Sequence, residues 1–96
     1  MLSGVATSLG ARQVCQRAFD LSTERTVVPV QVSDREAVET CLTYLDNHRM
    51  LVEPACGAAL ALLYEKMVSL GEFSNVLVIV CGGATTTIES LSSFRG

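Results

Sequence analysis

The feature that most constrains the fold is a run of five apolar residues, Val76–Val80, that shows no polar alternation. Such a run predicts a strand covered on both faces, as in a parallel sheet with helices on each side. Cys81, Gly82 and Gly83 follow the run, and a short helix to about Phe94 comes next. Since α/β proteins bind ligands at the carboxyl edge of such a sheet, the run predicts an α/β fold with its functional site at this turn.

Capping signals predict where two helices begin. Ser33 and Glu36 have the spacing of a capping box, in which a hydroxyl and a carboxylate bond the free backbone N–H groups of the first turn. Apolar residues then recur at helical spacing until His48. A second box, Thr86 with Glu89, predicts the start of the C-terminal helix.

Two further helices and one weaker strand are predicted. Ala11–Leu21 has an apolar face at helical spacing. Thr26–Val32 is rich in β-branched residues, but Pro29 within it indicates an edge strand or a broken one. A helix over about Pro54–Leu70 begins with small residues, which indicate close approach by neighbouring elements, and Gly71 would end it.

Composition narrows the possible partners. The length of 96 residues allows at most one domain, and an apolar fraction of 49% is enough to form a packed interior. The net charge is −3 and the seven basic residues are scattered, so neither nucleic acid nor an anionic membrane is an expected partner. The apolar run Ala55–Tyr64 is too short to span a bilayer. Arg12 and Arg17 lie where a secretory signal would need its apolar core.

The cysteines predict buried thiols rather than a metal site. They form no Cys-x-x-Cys pair, and His48 is the only histidine, so a zinc site is not expected. Free thiols are typical of a reducing compartment, which favours the cytosol. The four cysteines are Cys15, Cys41, Cys56 and Cys81.

Three segments together resemble one enzyme family. They are Ser8–Arg12, Leu51–Ala61 and Val78–Gly83. In this order and separation they resemble the C-terminal part of the L-serine dehydratases, which are pyridoxal-phosphate enzymes of the tryptophan-synthase-β-like fold. Ser8 is similar to the serine dehydratase-like subgroup, because the liver-type enzyme has alanine there. The resemblance implies an incomplete parallel sheet with flanking helices, from the C-terminal part of the large, cofactor-binding domain.

The resemblance also implies roles for five residues around pyridoxal 5'-phosphate. In the family, the thiol that Cys81 matches meets the pyridine nitrogen, and a thiol is a poor proton donor to it. Gly82 and Gly83 would let the backbone approach the ring. Glu53 would border the cofactor cavity, and Ser8 would pack against the face of the ring. From the residues alone, a buried strand-end cysteine is favoured for Cys81 and an ordinary turn for the glycine pair, whereas a helix cap with tight packing explains the Glu53 segment equally well.

Further expectations concern a cation, the core and the assembly. The resemblance implies that the backbone carbonyls of Leu9 and Ala11 help to coordinate a monovalent cation such as potassium. Cys56 is expected to be a small filler of the core. In a full-length enzyme the resemblance implies a homodimer that acts on small amino acids, L-serine and L-threonine.

The lysine that such an enzyme needs is not among the matched residues. A pyridoxal enzyme holds its cofactor through a Schiff-base lysine, whereas the one lysine here, Lys66, lies beside Glu65 at the polar end of a predicted helix. The family's lysine motif, its phosphate-binding loop and its small domain all belong to other portions of the enzyme. Residues 1–96 therefore resemble part of the large domain and are not expected to be active alone.

Three functions stay open on the sequence. The first is a pyridoxal-phosphate-dependent L-serine/L-threonine dehydratase, an ammonia-lyase of amino-acid catabolism that forms pyruvate or 2-oxobutyrate plus ammonia. The second is a non-catalytic truncated isoform that associates with a full-length subunit. The third is a serine racemase-like enzyme, against which cysteine rather than serine at position 81 argues.

Overall fold

The computed structural model describes residues 4, 6–10, 12–65 and 71–95. Over this part of the chain the regular structure is helical. Its elements are a 3-10 turn at Thr7–Leu9 and the helices α1 (Gln16–Glu24), α2 (Asp34–His48), α3 (Pro54–Tyr64) and α4 (Ile88–Arg95). None of these helices has the length and apolar character that crossing a membrane requires.

Helix α2 begins at the predicted capping box. The hydroxyl of Ser33 accepts from the N–H of Glu36 at 3.0 Å, and the N–H of Ser33 donates to the Glu36 carboxylate at 3.1 Å. The helix ends at His48, and Arg49 follows in the left-handed region with φ 56°. The N–H of Arg49 closes the last turn on the carbonyl of Leu45 at 2.8 Å. The sequence prediction for this helix is confirmed.

Helix α3 lies against α2 with almost no space between their backbones. A Cβ placed on Gly57 would overlap the carbonyl oxygen of Ala37 and lie 2.7 Å from the Sγ of Cys41. Cys56, Gly57 and Ala61 are buried. The small residues at the start of α3 therefore allow the close approach that the sequence predicted.

The core is formed where α2 and α3 meet and α4 covers them. α4 contacts α2, and Leu91 of α4 is fully buried. Val52, in the segment before α3, joins the same cluster. The buried cluster comprises Val38, Cys41, Val52, Cys56, Leu60 and Leu91.

The bounds of α1 and the end of α3 are not those predicted. α1 runs over Gln16–Glu24 rather than Ala11–Leu21, and none of its residues is buried. α3 ends at Tyr64, and the predicted continuation over 66–70 falls outside the described residues.

The cap of α4 is displaced by one residue from the predicted pair. Thr87 and Ser90 exchange reciprocal hydrogen bonds of 3.0 and 3.1 Å, whereas the predicted box was Thr86 with Glu89. Thr86 is instead buried, and its N–H donates to the carbonyl of Gly83 at 3.0 Å.

The two predicted strands are absent from the described structure. Val76–Val80 is unpaired and mostly exposed, with Leu77 at 85% exposure, so the expected strand covered on both faces is not formed within the described residues. Thr26–Val32 likewise forms no strand, and Val28 is exposed. A strand exists only through backbone bonds to another strand, and the described chain supplies no partner for either segment. The predicted parallel sheet is therefore not formed in the described residues.

Candidate cofactor-binding site

Two segments that are distant in the sequence meet where α3 begins. The N–H of Glu53 donates to the carbonyl oxygen of Gly82 at 3.0 Å. A Cβ on Gly83 would overlap the carbonyl of Leu51 and lie 2.7 Å from the Cα of Val52. The predicted cofactor residues of both segments therefore lie together.

The buried thiol of Cys56 joins these segments. Its Sγ accepts from the N–H of Cys81 at 3.2 Å and from the N–H of Gly82 at 3.4 Å. It also donates to the carbonyl oxygen of Gly82 at 3.3 Å. Sequence analysis expected only a core filler at this position. It missed these bonds because they link residues 25 and 26 positions apart, and no local pattern reports them.

The two glycines of the turn have different tasks. Gly82 has φ +141°, which side-chain-bearing residues rarely adopt, and open space surrounds the position of its absent Cβ. Gly83 is instead pressed against Leu51 and Val52. Of the two predicted openings for a ring, only Gly82 therefore leaves space beside the backbone.

Cys81 is exposed next to this opening, and Cys15 is exposed as well, so the prediction of buried thiols is confirmed only for Cys41 and Cys56. The alternative of a buried strand-end cysteine does not hold here, because the thiol is accessible and no strand precedes it. Its backbone is fixed by Cys56 while its side chain remains on the surface. The Cys81 thiol is therefore accessible to a bound group, such as a cofactor, that is not part of the described residues.

Cys41 is a second buried thiol, on the other side of Glu53. Its Sγ donates to the carbonyl oxygen of Glu53 at 3.3 Å. Burial raises the pKa of the Cys41 thiol to about 11, a shift that the Gly57 N–H opposes and that Cys56 and Glu53 reinforce. The thiol therefore stays protonated at neutral pH and serves as a hydrogen-bond donor rather than as a nucleophile.

The N-terminal site predictions lie apart from this turn. Leu9, which is 63% exposed, lines a cleft of about 710 Å³ together with Val30 and residues of α3 such as Ala58. The residues lining the cleft do not include Glu53 or the 81–83 turn. The structure therefore does not bring Leu9 to the same place as Cys81.

The remaining N-terminal predictions are not located by the structure. Ala11 and the side chain of Ser8 lie outside the described part of the chain. In that described part, no group of three or more histidine, cysteine or acidic residues could hold a metal ion. A site made of backbone carbonyls, as predicted from Leu9 and Ala11, is a different kind of site and stays a prediction.

The turn fits one edge of a planar cofactor. Gly82 leaves space where a side chain would stand, and the exposed Cys81 offers a thiol beside that space. The described residues supply neither a lysine nor a glycine-rich loop for a phosphate. The arrangement can therefore orient the ring of pyridoxal phosphate, but it does not by itself supply the covalent anchor.

Comparison with known proteins shows the family of the chain. Residues 3–82 match the family described as "Pyridoxal-phosphate dependent enzyme". The chain belongs to this family. It is 42% identical over 94 residues to the "L-serine dehydratase" of Dictyostelium discoideum, and the match covers 95% of this chain and 27% of that protein. It is 41% identical over 102 residues to the "Serine dehydratase-like" protein of Mus musculus, covering 98% and 31%.

A solved relative shows that the fold of this family member is shared. The structure of a fungal L-serine ammonia-lyase from Rhizomucor miehei superposes with a TM-score of 0.84 at 34% identity. The match covers 97% of this chain and 31% of that one. The chain thus has the fold of a segment of a pyridoxal-phosphate enzyme, and it spans less than a third of the length of these three relatives.

Proposed function

We propose that this chain is the C-terminal part of the cofactor-binding domain of a pyridoxal-phosphate-dependent L-serine/L-threonine dehydratase. The reaction is the elimination of water from the hydroxy amino acid, followed by hydrolysis to pyruvate or 2-oxobutyrate and ammonia. The names of the relatives support this substrate class. The Schiff-base lysine, the phosphate-binding loop and the small domain would come from other parts of the complete enzyme.

One observation of the structure carries the proposal. The Glu53 segment and the Cys81–Gly83 turn are bonded to each other, with an exposed thiol and an open glycine side by side. These are the residues that the resemblance assigned to the cofactor ring. Because they lie 28 or more positions apart in the sequence, only the fold can bring them together.

The residues of this chain have positioning tasks in that reaction. Bound pyridoxal phosphate supplies the electron sink that lets an amino acid lose its α-proton and β-hydroxyl. Cys81 would face the pyridine nitrogen with its thiol, and Gly82 would leave room for the ring. Glu53 would border the cavity, and its backbone N–H holds the carbonyl of Gly82 in place.

The exposed Val76–Val80 segment would become an inner strand in the complete domain. The side chains of Leu77 and Ile79 are exposed, and with α3 residues such as Leu62 they line an apolar groove of about 340 Å³. Covering such a segment with neighbouring strands would pair its backbone and bury its apolar side chains. This restores the parallel sheet that the sequence pattern predicts.

Three further expectations belong to the same proposal. The carbonyls of Leu9 and Ala11 would contribute to a site for a monovalent cation such as potassium. The complete enzyme would be a cytosolic homodimer. Thiols that remain free, as all four cysteines do, suit a reducing compartment.

For the polypeptide by itself, a non-catalytic role is the second candidate. The sequence contains a single lysine, Lys66, beyond the described end of α3 and in no motif that the resemblance assigns to the cofactor. The isolated chain, given pyridoxal phosphate and L-serine, is expected to form no pyruvate. Turnover that disappears in Lys66→Ala would contradict this expectation.

A chimeric enzyme tests the dehydratase proposal directly. In the Dictyostelium discoideum relative, the aligned segment is replaced by this chain, and pyruvate formation from L-serine is measured. We expect a folded chimera that retains the cofactor absorbance and turns over L-serine. A chimera that folds and holds the cofactor but forms neither pyruvate nor 2-oxobutyrate would refute the proposal.

Two cysteine variants of the chimera separate the site from the surface. Cys81→Ala is expected to lower kcat roughly tenfold, because a buried ring nitrogen would lose its partner at a cost of about 1–3 kcal/mol. Cys15→Ala removes an equally accessible thiol far along the sequence and should leave kcat unchanged. Equal activity of the two variants would show that Cys81 does not face the cofactor.

A further inference from the structure

Cys56 uses the full bonding capacity of its thiol on one turn. A thiol has one proton to donate and a sulfur that accepts weakly. Here the proton goes to the carbonyl of Gly82, and the sulfur receives the N–H groups of Cys81 and Gly82. The side chain is 2% exposed, so water does not compete for these three bonds.

The N–H groups of the turn depend on Cys56, although the Gly82 carbonyl also accepts from the Glu53 N–H at 3.0 Å. In the described part of the chain, the N–H groups of Cys81 and Gly82 have no acceptor other than Cys56 Sγ. Gly82 stands at φ +141°, and glycine passes between backbone regions more freely than other residues. The bonds from Cys56 on α3, together with the bond from Glu53, therefore favour one conformation of a turn whose glycine could adopt several.

Cys41 provides an internal comparison. It is as fully buried as Cys56 and also bonds a backbone carbonyl, that of Glu53 at 3.3 Å. Its bond does not reach Cys81 or Gly82. Two thiols in one core therefore have the same burial but different backbone partners.

From this difference we propose that Cys56 is a positioning residue, whose thiol fixes the Cys81–Gly82 turn and thereby the direction of the Cys81 side chain. That the direction matters for a cofactor ring rests on the proposed function. The bracing itself does not, because it depends only on bonds within this chain.

The test measures backbone amide hydrogen exchange, residue by residue, in the complete 96-residue chain. In Cys56→Ala, exchange at Cys81 and Gly82 should accelerate roughly five- to tenfold beyond any change in the rest of the core, since the acceptor that both N–H groups share is removed. In Cys56→Ser, a hydroxyl can donate and accept in the same place, so most of the protection should return. Rescue by serine separates bonding from the mere filling of space.

Cys41→Ala is the matched control. It removes an equally buried thiol, so it should reduce protection across the α2–α3 core without a selective effect at Cys81 and Gly82. Unchanged exchange at these two residues in Cys56→Ala, or the same selective loss in Cys41→Ala, would overturn the proposal. Because the measurement needs neither cofactor nor substrate, failure of the dehydratase assay would leave its result intact.

A second readout follows the Cys81 side chain. Alkylation of Cys81 by iodoacetamide, resolved by peptide mass spectrometry, is compared with alkylation of the exposed Cys15 in the same sample. The ratio of the two rates should change in Cys56→Ala and return toward the original value in Cys56→Ser. A ratio that is the same in all three proteins would show that Cys56 does not direct the Cys81 thiol.

Discussion

The α2–α3 core and the two valine-rich segments, Thr26–Val32 and Val76–Val80, are all apolar, yet the core is buried and the segments are mostly exposed. In the core, helices approach until the carbonyl of Ala37 lies where a Cβ of Gly57 would stand. Along Thr26–Val32 and Val76–Val80, side chains such as Val28 and Leu77 are exposed. Helices satisfy their own backbone and need only side-chain contacts to pack, whereas a strand also needs a partner backbone. Apolar sequence thus becomes core only where the chain supplies the matching element.

The largest expected effect comes from closing the gap between the two core helices. In a helix, Gly→Ala usually stabilises by about 1 kcal/mol. At Gly57 the new Cβ would overlap the Ala37 carbonyl, so Gly57→Ala should instead destabilise the chain by more than about 3 kcal/mol in urea unfolding. Gly71→Ala, where no atom lies within 4 Å of the added Cβ, should change stability by less than about 0.5 kcal/mol. Equal effects at the two glycines would show that the helices are not in contact.

Two leucines test the comparison between the regions. Leu91 is fully buried and Leu77 is 85% exposed. Leu91→Ala should cost about 2–3 kcal/mol, because it removes buried apolar surface and leaves a cavity. Leu77→Ala should cost less than about 0.5 kcal/mol in the same urea titration. A similar cost for both would mean that the Val76–Val80 segment is buried in solution, by self-association or by a sheet.

The accuracy of each prediction from the sequence depends on how far apart in the chain the interacting residues lie. The box of Ser33 with Glu36 spans three residues, and the structure confirms it. The cap of α4 was placed one residue early, because adjacent threonines, Thr86 and Thr87, offer the same hydroxyl. Local chemistry therefore predicts a helix start where one capping residue is available, is off by one where two adjacent hydroxyls compete, and is off by five for α1, which has no side-chain cap.

Long-range features were less accessible. The pattern of Val76–Val80 correctly reports an apolar segment, but pattern alone cannot say whether the strands that would cover it are present. The bonds of Cys56 to the Cys81–Gly82 turn join residues far apart in sequence, so no local pattern distinguishes Cys56 from a filler of the core. The grouping of Glu53 with Cys81 was expected only through the family resemblance, and the structure brings the two segments together.

The next effect in size is the alkaline pH dependence of stability, which tests whether Cys41 is buried in the core. The pKa of the Cys41 thiol is raised to about 11 in the folded chain, against 9.0 for the free group. The folded state therefore holds this proton more tightly than the unfolded state does. The protonated thiol therefore contributes fully to the free energy of unfolding below pH 9. This contribution, up to roughly 2 kcal/mol, is lost as the pH rises from about 9 towards 11.

The measurement is the free energy of unfolding at several pH values across this window. Cys41→Ser keeps a small polar side chain that does not ionise there, so the part of the alkaline decline due to Cys41 should vanish. Cys15→Ser replaces an exposed cysteine and should retain the decline. If Cys41→Ser declines as steeply as the unmodified chain, the Cys41 thiol is not buried in solution.

The smallest effect concerns the boundary between the regions, where the exposed Thr26–Val32 segment leads into α2. Ser33→Ala removes the hydroxyl that accepts from the Glu36 N–H and should cost about 1 kcal/mol in urea unfolding. Ser74→Ala, at an exposed position outside the helices, should change stability by less than about 0.5 kcal/mol. A cost confined to Ser33 would show that α2 is fixed by its own cap even though the preceding segment is unpaired.

The acid dependence of stability tests the other half of the same capping box, the carboxylate of Glu36. The backbone N–H of Ser33, followed by its side chain, holds the pKa of the Glu36 carboxyl below its usual 4.5. The charged carboxylate therefore stabilises the folded state above pH 4.5, and this stabilisation is lost as the pH falls through the lower, folded-state pKa. Glu36→Gln should remove that part of the acid dependence, while Glu24→Gln, at the end of α1, should leave it in place. If the acid transition of Glu36→Gln matches that of the unmodified chain, the reciprocal bond from Glu36 back to Ser33 does not form in solution.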